Sequence, residues 1–412
     1  MAVLVRLVPS FMLAQFIAVV LLSSGIAQCQ FVYAEQCPGP KNDIGAKIMG
    51  CVSSGMIPTA ADGLQVGTIV LPNTAAEPSL ATWATPVSLG PGVGLMGQGL
   101  LASYFECTVR SGDCLQYDAS GSKGPHNHTA NPATVWQGFT LTGYAPRTMG
   151  YSTSGFPILV QNLFDFKDAE GLTLRDVAAD GANGACFLFQ NVHYWTERNL
   201  FENVSSLYNC RTGFRFVVQP TGLDSFGYNR FLDIRLNPYG GETGISIENN
   251  ANVYNSTFRM TVNKDGTNFK SDGTTKEIIT GSRVIHMQDT ARFSGNEVHM
   301  YVEENGMGGN FLDITSASNV FTYYGEINPS PYTDQNNNVV AGATVAHLHD
   351  SSDFGVAANK FANGVTVGTA KWSSGTTAPT GTCVNGSLYS NTSGTTGSTL
   401  YVCVKTAWTD LK

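Results

Sequence analysis

"TGISIENN", residues 243–250, decides how this chain is read. Ile245 and Ile247 fall on one side of an extended segment, and Ser246 and Glu248 on the other, the period-2 pattern of a half-buried strand. The line recurs in "SGFPILVQN" (154–162), "GACFLFQN" (184–191), "TGFRFVVQ" (212–219), "SRVIHMQD" (282–289) and "TVAHLHD" (344–350), with "GNFLDITS" (309–316) between the last two. Its copies stand roughly 28 to 39 residues apart, a spacing that points to a repeat architecture with loops inserted. Each copy is followed by Asn and an apolar pair or triplet: "NLF" (199–201), "NRF" (229–231), "NSTF" (255–258), "NEV" (296–298), "NVF" (319–321) and "NKF" (359–361). One unit therefore holds a strand, a short connection, an Asn turn, a second strand and a variable loop. The loops include "NPYGGE" (237–242), 263–281 and 328–343.

One such unit cannot bury its apolar face alone, but stacked units share a continuous core. The predicted inward residues are Phe156, Ile158 and Val160; Phe187 and Phe189; Phe214, Phe216 and Val218; Ile245 and Ile247; Ile285 and Met287; Leu312 and Ile314. Asn suits a stacked bend because it tolerates left-handed backbone and its amide reaches the next coil. A β-sandwich is the rival all-β arrangement, and the scarcity of hairpin signals between consecutive strands weighs against it.

Over residues 40–365 this pattern resembles the right-handed parallel β-helix proteins of the pectate-lyase-like superfamily. The opening fits too: "NDIGAKIMGCV" (42–52) reads as a short amphipathic helix capped by Asn42 or Asp43, and such families commonly cap the first coil with a helix. "VGTIVLP" (66–72) and "TPVSLGPGVGLMGQG" (85–99) resemble first coils. The expected fold is all-β: a right-handed parallel β-helix, a single-stranded solenoid with an N-terminal capping helix and a small disulfide-stapled C-terminal β module. The expected division is 1–34 signal peptide, 35–365 β-helix, 366–381 linker and 382–412 C-terminal module. In that module "GSLYSNTSG…TLYVC…AW" resembles a short tail found on exported bacterial and phage tail proteins.

Composition agrees with an all-β chain. Of 412 residues only 13% are charged and 45 are Gly, unlike a helical protein. The net charge of −8 argues against nucleic acid, whose phosphates need clustered Lys and Arg. Arg6 precedes the apolar run 11–27 and small residues follow, which reads as an export signal, so no stable membrane span is expected after its removal. Two cleavage points fit, after Ala27 and after Ala34. The chain has nine Cys. A cut after Ala34 removes Cys29 and leaves an even set, Cys37, Cys51, Cys107, Cys114, Cys186, Cys210, Cys383 and Cys403, which in order makes four local pairs. Export makes disulfides reasonable, while sequence leaves connectivity and buried free thiols open. A secreted or cell-surface location follows from this reading.

In lyase-like families the substrate groove follows the first strand of each coil. The outward column predicted there is Leu188, Val217, Glu248, His286, Asp313 and His347. Four titratable groups then stand on consecutive coils about 4.8 Å apart. Glu248, His286, Asp313 and His347 are the catalytic candidates, since carboxylate beside imidazole suits acid–base work. Arg215, Asn250, Gln288 and His349 flank them as substrate-binding candidates. The plainer alternative is a ladder of cross-strand charge pairs that needs no substrate. His286, Asp313, His347 and His349 have the right types for a metal, but their spacing matches no short motif, and no metal site is expected. Asp165, Asp168, Asp176 and Asp180 keep calcium open as an ion, with solvated carboxylates preferred. The second strand offers Asp233, Arg235, Arg259, His299, Tyr301, Glu303, Tyr324 and Glu326 as a rival face. The lyase calcium-and-arginine motif is not readable, so the resemblance transfers no catalytic residue. The expected partner is a polysaccharide, cleaved by a lyase or glycoside hydrolase. The alternative is a non-catalytic adhesin or tailspike-like binder, and the tail allows a homotrimer.

Overall fold

The computed structural model describes residues 30–60, 63–109, 112–121, 134–143, 161–206, 210–236, 243–264, 267–269, 276–278, 283–288, 290–305, 312–313, 319–325, 344–348, 365–367, 370–394 and 399–411. For Leu312–Asp313, Val320–Gly325 and Thr344–Leu348 it describes the backbone. Most strands among these residues pair in parallel into stacked sheets, as in a parallel β-helix, with antiparallel pairs confined to 267–278 and to 365–410. A first-strand sheet of eight strands runs from Val87–Leu89 through Ala182–Asn191, Cys210–Val218 and Thr243–Glu248 to Leu312–Asp313. A second-strand sheet of thirteen runs from Phe31–Tyr33 through Arg230–Leu236 to Thr344–Leu348. Between them lies a short sheet of Ser225–Gly227, Asn252–Tyr254 and Arg292–Ser294.

Register follows the apolar side chains. Leu115, Phe164, Phe187, Phe214, Ile245 and Ile285 form one inward column, and Tyr117, Phe166, Phe189, Phe216, Ile247 and Met287 the next. Phe rings stack at the strand spacing: 4.8 Å for Phe187–Phe214 and for Phe189–Phe216. Phe201, Phe231 and Phe258 repeat the device in the second-strand sheet, at 4.8 and 4.7 Å. A strand period near 4.8 Å sets rings at a favourable stacking distance, so repetition and packing reinforce each other.

The Asn turn is a buried ladder. Asn199 Oδ1 accepts from Leu172 N–H at 2.9 Å, Asn229 Oδ1 from Asn199 N–H at 3.1 Å, Ser256 Oγ from Asn229 N–H at 3.1 Å, and Asn296 Oδ1 from Ser256 N–H at 3.0 Å. Asn319 extends it to Asn296. These side chains satisfy backbone groups that the bend removes from the sheets. Ser256 rather than Asn255 holds the rung in its coil. Asn255 precedes it in a left-handed column with Gly171, Arg198, Tyr228 and Gly295 (φ 46° to 70°).

At the N-terminal end, Ile44–Ser53 is the expected helix, and Asp43 rather than Asn42 caps it, accepting from Ala46 N–H at 3.3 Å. Asp43 also accepts from Ala84 and Thr85 N–H and from Thr85 Oγ1, fixing the helix to a neighbouring coil. Four disulfides join Cys37–Cys51, Cys107–Cys114, Cys186–Cys210 and Cys383–Cys403, the local pairs in chain order. Residues 365–410 carry a five-stranded sheet. It includes Ala370–Gly375, inside the stretch read as linker, paired with Leu388–Asn391.

Three expectations change. The rung before Ala182–Asn191 is Asn162–Lys167, which turns Phe164 and Phe166 inward. Phe156, Ile158 and Val160 lie outside the described residues, as do Ile314 and the loops 237–242 and 328–343. Loop 263–281 contains an antiparallel pair, Thr267–Phe269 with Lys276–Ile278. "TVAHLHD" is not a first-strand rung: Thr344–Leu348 pairs with Val320–Gly325 in the second-strand sheet. Both sheets bury alternate residues of short apolar runs, so periodicity alone does not distinguish them.

Candidate functional site

The register redraws the outward face of the first-strand sheet. One column reads Gln116, Asp165, Leu188, Arg215, Ser246, His286 and Asp313. The adjacent column reads Asp118, Lys167, Gln190, Val217 and Glu248. The predicted column had joined parts of both. The polar ends of the repeated lines suggest one register, whereas the strands stack on their Phe and Ile positions. His286 therefore faces Ser246, with Glu248 two residues further on. Asp313 stands opposite His286, as expected, by its backbone register. His347 does not join the column: its backbone lies opposite Thr322 in the second-strand sheet. His349 lies outside the described residues.

Arg215 and Glu248 meet across two rungs. Arg215 Nε and Nη2 donate to Glu248 Oε1 and Oε2 at 3.0 and 2.7 Å, and Ser246 Oγ donates to Oε1 at 2.7 Å. Burial alone would raise the Glu248 carboxyl. Hydrogen bonds from Arg215 and Ser246, with the charges of Arg215 and His286, outweigh it and hold the carboxyl below its ordinary value. Glu248 is thus an ionised carboxylate beside an imidazole and a guanidinium. Next to it, Gln288 Oε1 accepts from Asn249 N–H at 3.2 Å, and Asn250 is exposed with left-handed backbone (φ 64°).

A second acidic centre, expected to be solvated, is buried. Asp165 is 0% exposed on the outward side of its strand. Gln190 Nε2 donates to its Oδ1 at 2.7 Å, Gln219 donates to Gln190 Oε1, and Lys167 Nζ stands 3.6 Å from Asp165 Oδ2. On the adjoining rung Asp113 lies within hydrogen-bonding reach of Asp165. Asp113 accepts from Asn162 Nδ2 at 2.6 Å and Gln116 Nε2 at 3.2 Å. Burial first, and then the Asp113 charge, push Asp165 up to about 7. The signal was legible as "DCLQYD" (113–118) above "NLFDFK" (162–167), given the right rung. Leu188, Ala185 and Val217 form a buried apolar island between this pair and Arg215–Glu248. With Asp165 and Ser246 also buried, the face is a sheltered floor rather than an open sheet.

The other aspartates point to separate partners. Asp168 accepts from Val192 N–H at 2.7 Å and His193 N–H at 3.1 Å, and Asp176 accepts from Asn203 Nδ2 at 2.6 Å. On the second-strand face Arg259 and His299 stand in register, His299 Nε2 lies 2.7 Å from Glu297 Oε1, and Arg235, Thr261 and Tyr301 share a column. Asp233 has left-handed backbone there (φ 55°), Glu303 and Tyr324 are described by backbone, and Glu326 lies outside the described residues. In the short sheet the Ser225 and Tyr254 hydroxyls converge on Glu197, Tyr254 at 2.7 Å. Burial and that carboxylate push Tyr254 up to about 12, which leaves it a hydrogen-bond donor. No protein-family model matches the chain, and no curated protein matches it.

Proposed function

We propose that the protein is exported, holds an acidic polysaccharide across the sheltered floor of the first-strand sheet, and cleaves it by elimination. The observation that carries this reading is the cluster of Arg215, ionised Glu248 and His286 around Ser246. Elimination on a uronate needs a cation near the substrate carboxylate and a base for the proton α to it. Arg215 has the charge for the first role and His286 the chemistry for the second. His286 takes the α proton, the C–H electrons form a double bond to the β carbon, the β carbon–glycosidic oxygen bond breaks with its electrons on oxygen, and that oxygen takes a proton from water. Glu248, whose carboxylate interacts electrostatically with His286, is the group placed to orient the imidazole.

Hydrolysis fits less well. It needs a protonated carboxyl and a second carboxylate roughly 5–9.5 Å apart across the scissile bond. Glu248 is held ionised, and Asp165 stands three rungs from it, about 14 Å by strand spacing. A non-catalytic carbohydrate binder is the second reading. It is favoured by the two-point Arg215–Glu248 pair, which satisfies both groups without substrate. Four disulfides accord with an oxidising compartment. Among the described residues no helix is long and apolar enough to cross a membrane.

The test is incubation of the purified protein with acidic and neutral polysaccharides, with and without calcium, following ultraviolet absorbance of unsaturated ends and new reducing ends. Unsaturated ends from an acidic polymer are expected. Reducing ends without absorbance would replace elimination by hydrolysis, and retained polymer binding without products would establish the binding reading.

A further inference from the structure

We infer that the export peptidase hydrolyses the Ala27–Gln28 bond, so that the mature chain begins at Gln28 and keeps Cys29. The inference rests on the export reading and fixes its processing site. Both Ala27 and Ala34 end sequences suited to cleavage, and cysteine parity favours Ala34. The fold decides against Ala34. Phe31–Tyr33 is the first strand of the second-strand sheet, in parallel register with Gly67–Val70: Phe31 opposite Thr68, Val32 opposite Ile69, Tyr33 opposite Val70. Thr68 N–H donates to Gln30 O at 3.0 Å, so pairing already begins at Gln30. Val32 and Ala34 are buried in the main core. A cut after Ala34 would delete this strand and uncover Ile69, which the core buries completely.

It would also create an ammonium group in the wrong place. Buried Lys47 donates from Nζ to Glu35 O at 2.9 Å and to Cys37 O at 3.1 Å. A new terminus at Glu35 would set a second cation on the same residue whose carbonyl accepts from Lys47, where repulsion is weakly screened. A cut after Ala27 leaves Gln30 to Cys37 intact and has small residues, Gly25 and Ala27, on either side of Ile26. Parity then needs no even set. Eight cysteines are already paired with one another, and Cys29 is the ninth. The step consumes one water, leaving a carboxylate on Ala27 and an ammonium on Gln28.

The experiment is intact-mass measurement of the full chain after expression in a secreting bacterial host. Thiols are alkylated in denaturant without reductant. The expected mass is that of Gln28–Lys412 with a single alkylated cysteine, or its disulfide-linked dimer. A mass beginning at Glu35 with no alkylation overturns the inference and leaves export standing. An uncleaved chain retained in the cell overturns the inference and the export reading together. As a second readout, a chain begun at Glu35 should melt several degrees below one begun at Gln28. Equal melting would remove the structural ground for the inference.

Discussion

Asp165 shows how one residue's environment changes its chemistry. It is buried against Asp113, and its proton is held to about 7. The folded value is raised above the unfolded one, so its contribution to stability is fully present below about pH 4 and is lost as pH rises towards 7. The fold binds more protons than the unfolded chain throughout that window, and the slope is up to about 1.4 kcal/mol per pH unit. Asp165→Asn keeps an acceptor for Gln190 and places a donor towards Asp113. It should therefore raise Tm by about 2–4 °C at pH 8 and change it little at pH 4. A thermal-melt series across pH checks this, and a variant equally destabilised at both pH values would show that the carboxyl is not the strained group. Glu248 runs the other way. Its folded value is depressed, so its contribution is present above the unfolded value near 4.5 and is lost as pH falls through the folded one. Removing its partner with Arg215→Ala should cost about 1–3 kcal/mol at pH 7 and less in acid, as read by denaturant melts.

At the scale of the element, the bend before each second strand carries more than its length suggests. Asn229 accepts from Asn199 N–H, donates to Thr196 O and links to the amide of Asn199, all out of water. Asn229→Ala strands these groups and should cost about 2–4 kcal/mol, whereas Asn229→Ser should cost less, because Ser256 fills the same rung natively. Equilibrium unfolding separates the two, and equal losses would mean that side-chain volume rather than hydrogen bonding matters. One residue earlier, Tyr228 is left-handed and 50% exposed, where three other coils use Gly171, Asn255 and Gly295 and one uses Arg198. Its backbone costs about 1–2 kcal/mol and its edge contact with Tyr254 returns less, so Tyr228→Asn should gain about 0.5–1 kcal/mol. A lower Tm for that variant would contradict this balance. The ladder was visible in the sequence because Asn recurs before an apolar residue. Its Ser256 rung was hidden because "NST" offers Asn255 first, and only the bend's backbone shows which residue turns inward.

Across the whole molecule, the fold was legible and the site only in part. Stacked coils repeat one apolar spacing, so Phe187, Phe214 and Ile245 are legible as inward residues, but the register that sets them in one column comes from the strand pairing. Outward columns carry no such redundancy. Each outward residue differs from the one below it, and a two-residue slip keeps every apolar residue inward while exchanging polar neighbours. That is why His286 was expected beside Glu248 in one column and lies opposite Ser246 instead. It is also why the Asp113–Asp165 pair went unread, since neighbours 52 positions apart meet only when the rung is right. The proposed chemistry depends on this corrected floor. The most direct measurement is initial rate, by absorbance of unsaturated ends, for wild type, His286→Ala and Glu248→Gln on the acidic polymer that the wild type cleaves. The account predicts a kcat loss of about 10²–10⁴ for His286→Ala with polymer binding retained, and a smaller loss for Glu248→Gln. Undiminished turnover by His286→Ala would contradict it and move the chemistry off this floor.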